Sequence, residues 1–255
     1  MLIVERRGAV LFVRLNRPEV RNAFNEELIV SLTGVFSSVE AGVRAVVLSG
    51  EGAAFCSGGD LDYMRRMGAL SAEDNLEDAR RLGRLFESVR ECRVPVVARV
   101  HGAAFGGGVG LVAASDIAIA VDSCRFSFSE VKLGLVPGTI STVVIPKIGA
   151  GHARALFATG EVFDAAHALR IGLVHEVVGP DDLDPAVDRK LGAILASGPE
   201  AVAGAKRLVL DQPLGLEACA ERIASARASD EGREGLQAFL GKRRASFVED
   251  WPSGG

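Results

Sequence analysis

Aromatic residues other than phenylalanine are nearly absent from this chain, which has one Trp and one Tyr beside 12 Phe. Nucleic-acid surfaces use such side chains as stacking platforms over a basic face. A formal charge of −4, with no basic stretch interleaved with aromatics, argues against that class. Metal-ligand spacing is missing too: Cys56, Cys92, Cys124 and Cys219 form no CxxC pair and no Cys/His pattern. They are expected to be reduced thiols, with no disulfide and no metal site. His101, His152, His167 and His175 have neither ligand spacing nor a nucleophile partner and read as structural. No apolar run reaches the ~18 residues that cross a bilayer. Glu5, Arg6, Arg7 and Arg14 interrupt the early apolar runs and sit wrongly for a signal peptide, so a soluble, cytoplasmic protein without membrane partners is expected.

What is present is glycine, 30 in 255 residues, within an otherwise ordinary globular composition of 48% hydrophobic and 24% charged residues. Leu2–Glu5 and Val10–Leu15 read as strands across an Arg7-Gly8 turn. Asn25 can cap a helix on which Leu28, Leu32, Val35 or Phe36, and Val39 recur at helical spacing. Ala45–Ser49, Pro95–Val100 and Asp116–Ala120 are buried strands, and helices are expected around 79–89 and 107–114. This alternation predicts an α/β layer architecture. From about Gly149 helices dominate, at 153–158, 165–169, 183–195, 201–210, 217–227 and after Asp230. A boundary near Gly198-Pro199 would divide a core, residues 1–198, from a helical C-terminal region, residues 199–255.

Three segments carry chemistry. Ala53 through Leu61, with Ser57-Gly58-Gly59-Asp60, follows a strand and precedes a polar helix; its glycines can leave backbone N–H groups facing a ligand, or can simply form a flexible connection. Val100 through Leu111, with Phe105 and Gly106-Gly107-Gly108, follows a buried strand and opens a helix, whose first amides favour negative charge. Its glycines break the G-x-G-x-x-G pattern at Leu111 and no P-loop lysine follows, which weakens nucleotide readings. Phe126 through Gly138 sets Glu130 among apolar neighbours ahead of Pro137-Gly138. Burial of that kind raises a carboxyl pKa toward values useful in proton transfer; a surface Glu paired with Lys132 is the alternative. Ser57, Ser127 and Ser129 lack a nucleophile elbow, which argues against serine hydrolase chemistry.

Taken in order, these segments resemble the crotonase (enoyl-CoA hydratase/isomerase) superfamily over nearly the whole chain. Arg17 through Phe24, with Arg21 and Ala23, is similar to an early CoA-contacting turn, and Phe55 through Leu61 to a first oxyanion loop. Gly106-Gly107-Gly108 is similar to the second oxyanion loop, Glu130 through Gly138 to the catalytic-glutamate segment, and Gly235 through Phe247, with Phe239 and Lys242, to a CoA-proximal helix. The resemblance implies a spiral of β-β-α units with a helical C-terminal part, assembled as a homotrimer or a hexamer of paired trimers. It implies catalysis by Glu130 with the amides of Ser57 and Gly107 holding the thioester oxygen. Substrate contacts are implied for Arg21, Ala23, Gly58, Gly59, Asp60, Leu61, Phe105, Gly106, Gly110, Pro137, Gly138, Phe239 and Lys242. The CoA thioester is itself the substrate, and no cofactor or metal is implied.

One position departs from the pattern. Hydratases of this family use two glutamates, and the place of the first is Gly110 here. A single carboxylate suffices to shift a double bond, whereas hydration is easier with two. Segments 60–67, 78–82, 108–114 and 129–137 are nonetheless similar to bacterial 3-methylglutaconyl-CoA and isohexenylglutaconyl-CoA hydratases. A carboxylated substrate could then fill space freed at Gly110 and pair with Arg65, Arg66 or Arg84, unless those arginines are a solvated helix face. The leading expectation is an enoyl-CoA hydratase for a short or branched, methylglutaconyl-like acyl group; the alternatives are an isomerase or decarboxylase of the same family, or a non-catalytic acyl-CoA-binding protein.

Overall fold

The computed structural model describes residues 1–252. Strand β1 (Leu2–Arg7) turns through Gly8, at φ 57°, into β2 (Val10–Leu15) as an antiparallel hairpin. Asn25 Oδ1 accepts the Leu28 amide at 2.9 Å and starts α1 (Glu26–Ser37), which buries Leu28, Ile29, Leu32 and Phe36. Strands and helices then alternate, and two units have a strand, a second shorter strand and a helix in turn. Strand β3 (Ala45–Gly50) leads to helices α2 (Leu61–Gly68) and α3 (Ala72–Arg90). Strands β4 (Val96–Val100) and β5 (Ala103–Phe105) lead to α4 (Gly107–Ala114); β6 (Ile117–Val121) and β7 (Arg125–Ser127) lead to α5 (Gly138–Thr159). Strand β8 (Val162–Asp164), α6 (Ala165–Arg170) and β9 (Glu176–Val178) complete the series.

The first strand of each unit joins a six-stranded sheet of order β1-β2-β3-β4-β6-β9, parallel beyond the first hairpin; the second joins a small sheet, β5-β7-β8. Parallel strands covered on both faces read as continuous apolar runs, as Ala45–Leu48 and Val96–Ala98 do. Helix α3 is longer than its apolar positions indicate because Ser71 accepts the Asp74 amide at 3.1 Å and caps it well ahead of its buried Leu85, Phe86 and Val89. Helix α5 was legible only over its last turns. Gly138, Pro146 and Gly151 disguise it, and Gly149, at φ 78° and ψ 154°, bends it midway.

Helix α7 (Leu183–Leu195) packs on β4 and β6, and three further helices follow: α8 (Pro199–Leu210), α9 (Leu216–Ala228) and α10 (Asp230–Leu240). Among these last three only Ala238 is buried, so they add little to the core. Two polar contacts tie this region back. Lys206, its side chain 6% exposed, meets Asp116 Oδ2 at 2.8 Å, and the same oxygen accepts the Val96 amide at 2.8 Å. Arg44, buried just ahead of the interior strand β3, donates to the carbonyls of Ile194 (3.4 Å), Ser197 and Phe247 (2.6 Å). The tail then returns to the core, where Glu249 N–H meets Leu195 O and the Trp251 ring stacks on Phe12 at 6.0 Å.

Replacing Arg44 by Met would strip three carbonyls of their donor at once, that of Ile194 in a buried setting. A loss of about 2–4 kcal/mol is expected in urea unfolding. Fluorescence of Trp251, the single tryptophan, should change at lower urea than the helical signal, since it reports release of the tail. Coincident transitions at the wild-type midpoint would show that the tail is held without Arg44.

Candidate active site

The site begins with a strained turn. Arg21 and Asn22 both lie in the left-handed region, at φ 52° and 58°, and Asn22 is fully buried. Asparagine tolerates that conformation better than most residues. Here its amide side chain also fastens three strands of backbone: Asn22 Oδ1 accepts from Arg17 N–H at 2.9 Å, and Nδ2 donates to the carbonyls of Glu51 and Ala54, each at 2.8 Å. The turn is thereby held against the loop that follows β3. Arg17 continues the connection through Asp60 Oδ2 at 2.8 Å, while Asp60 Oδ1 accepts the amides of Asp62 (2.9 Å) and Tyr63 (3.3 Å) to cap α2. Burial works to raise the Asp60 pKa, but Arg17 and the two amides outweigh it and hold the carboxyl below its ordinary value. Asp60, expected as a substrate contact, is committed to these partners.

The loop from Phe55 to Gly59 is zipped into the fold on both sides. Phe55 and Cys56 donate to His101 O and Ala103 O, and Phe105 N–H returns to Cys56 O at 3.0 Å. Phe24 bridges the loop in parallel register with Gly59: Phe24 N–H meets Gly58 O at 2.7 Å, and Asp60 N–H meets Phe24 O at 2.9 Å. In such a bridge the residue opposite turns its own N–H and C=O to the other side. The Gly59 amide accordingly has no partner among the described residues. Ser57 behaves otherwise: its amide donates to Arg21 O at 3.0 Å and its hydroxyl to Val20 O at 3.2 Å. The expectation that Ser57 supplies an oxyanion donor is therefore corrected. The chain reversal at Arg21 captures that amide, and the available one lies two residues on.

The second loop abuts the first. A Cβ on Gly58, which sits at φ 91°, would come within 2.9 Å of Phe105 O and 3.8 Å of Gly106 Cα. One on Gly106, at φ 49°, would meet Glu130 Oε1 at 3.2 Å. Val109 and Gly110 donate to Gly106 O, whereas the amides of Gly107 and Gly108, in the first turn of α4, have no partner among the described residues. Glu130 stands in a short helical turn over Ser129–Leu133. Its Oε2 is buried without a hydrogen-bond partner, and burial pushes its pKa above the ordinary value, with only its own backbone amide pulling back. Lys132 is exposed and is not paired with it, which decides against the surface-pair reading. Three amides without partners among the described residues, those of Gly59, Gly107 and Gly108, and one desolvated carboxyl group thus lie on the segments that meet at Gly58, Gly106 and Glu130.

Gly110 is enclosed differently. A Cβ there would fall 2.7 Å from both Ile140 Cγ2 and Phe86 Cε1. The room a side chain would use is already filled by buried apolar groups, so the expected substrate pocket at Gly110 is absent. The arginines suggested as carboxylate partners are engaged elsewhere. Arg65 pairs with Asp62 at 2.9 Å and Arg84 with Glu77 at 2.6 Å, on exposed helix faces, and Arg66 lines a groove with Asn25, Glu26 and Val30 that does not include Glu130. Arg21 is exposed beside the Gly58–Gly59 loop, Ala23 is buried with its carbonyl on Arg17, and Pro137 and Gly138 start α5 after the Glu130 turn. Leu61 is exposed at the first position of α2. Phe239, 81% exposed, and Lys242 belong to α10 and the turn after it, which pack on α8 and α9. Met64 was not singled out by sequence; its Cγ and Sδ would lie 3.1 and 3.2 Å from a Cβ on Gly59. Among the described residues no three His, Cys, Asp or Glu side chains gather as a metal site, and no helix is long and apolar enough to cross a membrane.

A sequence profile described as enoyl-CoA hydratase/isomerase matches residues 5–250. The chain belongs to that family, and it has the crotonase fold. It is 32% identical to a crotonyl-CoA hydratase of Syntrophomonas wolfei, over 97% of each protein, and 33% identical to a 1,2-epoxyphenylacetyl-CoA isomerase of Escherichia coli, over 94% of this chain and 95% of that one. The crystal structure of an enoyl-CoA hydratase from Shewanella pealeana superposes with a TM-score of 0.92 at 37% identity, covering 96% of this chain and 95% of that one. The chain is thus an enzyme of a family that holds both hydratases and isomerases.

Two substitutions test this geometry. Folding holds the Glu130 proton more tightly than the unfolded chain does, so stability falls as pH rises from the ordinary value of 4.5 through the raised one, and the whole cost is present above it. Glu130→Gln is expected to raise Tm at neutral pH, with the gain vanishing as pH falls below 4.5; a lower Tm at neutral pH would contradict a desolvated carboxylate. Gly110→Ala should overpack the site against Phe86 and Ile140, costing about 1–3 kcal/mol by chemical denaturation. No loss there would mean the space is open.

Proposed function

We propose that this protein hydrates short or branched enoyl-CoA thioesters, with the amides of Gly59 and Gly107 on the thioester oxygen and Glu130 as the acid-base residue. The observation that carries the reading is the buried, unpartnered Oε2 of Glu130 set against two glycine loops whose amides are free. Backbone donors do not titrate and need little reorganisation, and they act on charge that builds only as the carbonyl becomes an enolate. Each is worth roughly 10²–10³ in rate, and a positioned carboxylate roughly 10²–10⁴.

With one carboxylate the reaction balances as follows. Ionised Glu130 takes a proton from water as the water oxygen bonds to C3, and the C2=C3 electrons pass to the thioester oxygen. The Glu130 carboxylic acid then returns the proton to C2, restoring the carboxylate and completing addition of one water. The same carboxylate could instead remove a proton from carbon and return it elsewhere, so isomerisation is the second reading. The filled space at Gly110 favours it, because no second carboxylate is at hand to hold the water. A carboxylated, methylglutaconyl-like acyl group rests on the segment resemblances alone, as Gly110 and the arginines offer it no site. CoA is part of the substrate and the mechanism calls for no cofactor. A homotrimer, or two trimers paired, is supported by the exposed Leu236, Phe239 and Leu240 on α10.

The test is a panel of enoyl-CoA esters, crotonyl-CoA and methylglutaconyl-CoA among them, with products separated by mass. Hydration adds one water, and isomerisation leaves the mass unchanged. Glu130→Gln should lower turnover by roughly 10²–10⁴ while acyl-CoA still binds. Full activity in that variant would end the proposed mechanism. Binding without any turnover by the wild type would favour a non-catalytic acyl-CoA carrier.

A further inference from the structure

Phe24 touches both oxyanion elements through different parts of one residue. Its backbone N–H and C=O clasp Gly58 and Asp60, at 2.7 and 2.9 Å, which turns the Gly59 amide outward. Its ring lies under α4, so close that a Cβ on Gly107 would strike Cε2, with Cδ2 at 2.9 Å. The ring is itself fixed edge-on against Phe86, centroids 6.4 Å apart at 64°, and Phe86 packs where a Gly110 side chain would be. Gly107 and Gly110, three apart on one face of α4, therefore rest on a two-ring platform. Phe24 and Phe86 are at most 2% exposed.

We propose that Phe24 is a positioning residue that sets the separation of the Gly59 and Gly107 amides. This rests on the oxyanion reading above. The amide of Gly59 is aimed by the Phe24 backbone, and that of Gly107 is seated by the Phe24 ring. Shrinking the ring lets the first turn of α4 at Gly107 settle toward the Phe24 segment, and the two donors then cease to share one oxygen. The ring touches no reacting atom and acts through the two glycines.

The experiment compares Phe24→Leu with Phe36→Leu, a buried phenylalanine of α1 outside the site, at matched loss of Tm. The readouts are kcat, KM and the infrared stretch of the thioester carbonyl in bound crotonyl-CoA. A misplaced catalytic group costs up to about 10², so Phe24→Leu should lose about 10- to 100-fold in kcat with little change in KM. Its carbonyl stretch should move back toward the free ester. Phe36→Leu should keep kcat and the wild-type stretch. Equal behaviour of the two variants would overturn the proposal. Should Phe24→Leu not fold, Phe24→Met against Phe36→Met gives the same comparison with less volume lost. If the wild type neither turns over an enoyl-CoA nor shifts the carbonyl stretch, the oxyanion reading fails, which is a separate result.

Discussion

Two stretches of bare backbone, 56–59 and 105–108, approach so closely that no side chain fits between them. Gly58 would collide with Phe105 O, and Gly108 with Cys56 O, if either carried a Cβ. This contact places free amides beside Glu130, and the rest of the molecule is arranged to hold it. The bridge Cys56↔Ala104 joins the loops edge to edge, and the pairing of β5 with β7 brings Phe105 opposite Ser127, two residues ahead of the Glu130 turn. Glycine in such a place is entropically costly, because the unfolded chain has more freedom to lose. The offset comes from a fully buried asparagine, a largely buried Arg17–Asp60 pair and the Phe24 bridge, all of which converge on the same ten residues of loop.

The electrostatics follow from that packing. Glu130 is desolvated without a cationic neighbour to lower its pKa, so burial holds its carboxyl above the ordinary value. A second carboxylate nearby would have raised it further by repulsion. Phe86 and Ile140 occupy that space instead, and the loss of an acid at position 110 is thus a repacked wall, not a hole. Asp60 shows the opposite choice: its burial is outweighed by Arg17 and two amides, which hold that carboxyl below its ordinary value.

Much of this was legible in the order of residues because the features have strong local causes. The Asn25 cap, the helix at 183–195 and the apolar central strands follow from side-chain chemistry within a few positions. The three-residue strands β5, β7, β8 and β9 were not legible, since three residues cannot display a period and their pairing is decided by distant partners. The same reason accounts for Ser57 and Gly59. Which of two neighbouring amides is free depends on Arg21 O and Phe24, more than thirty residues away, and sequence spacing within the loop carries no information about them. Gly110 looked like vacated space because a missing side chain says nothing about what has moved in.

A site built from backbone has a particular vulnerability. A side-chain donor can be lost only by its own mutation, but an amide is aimed by whatever holds its strand, so control passes to residues that never meet substrate. Asn22 is the clearest instance. Its three hydrogen bonds fix the left-handed turn whose Arg21 carbonyl occupies the Ser57 amide. Were that turn to relax, Ser57 N–H would be released near Gly59 N–H, and two adjacent donors would compete for one oxygen in place of a single aimed one. The left-handed turn at Arg21 and Asn22 thus occupies the Ser57 amide and leaves that of Gly59 without a partner among the described residues.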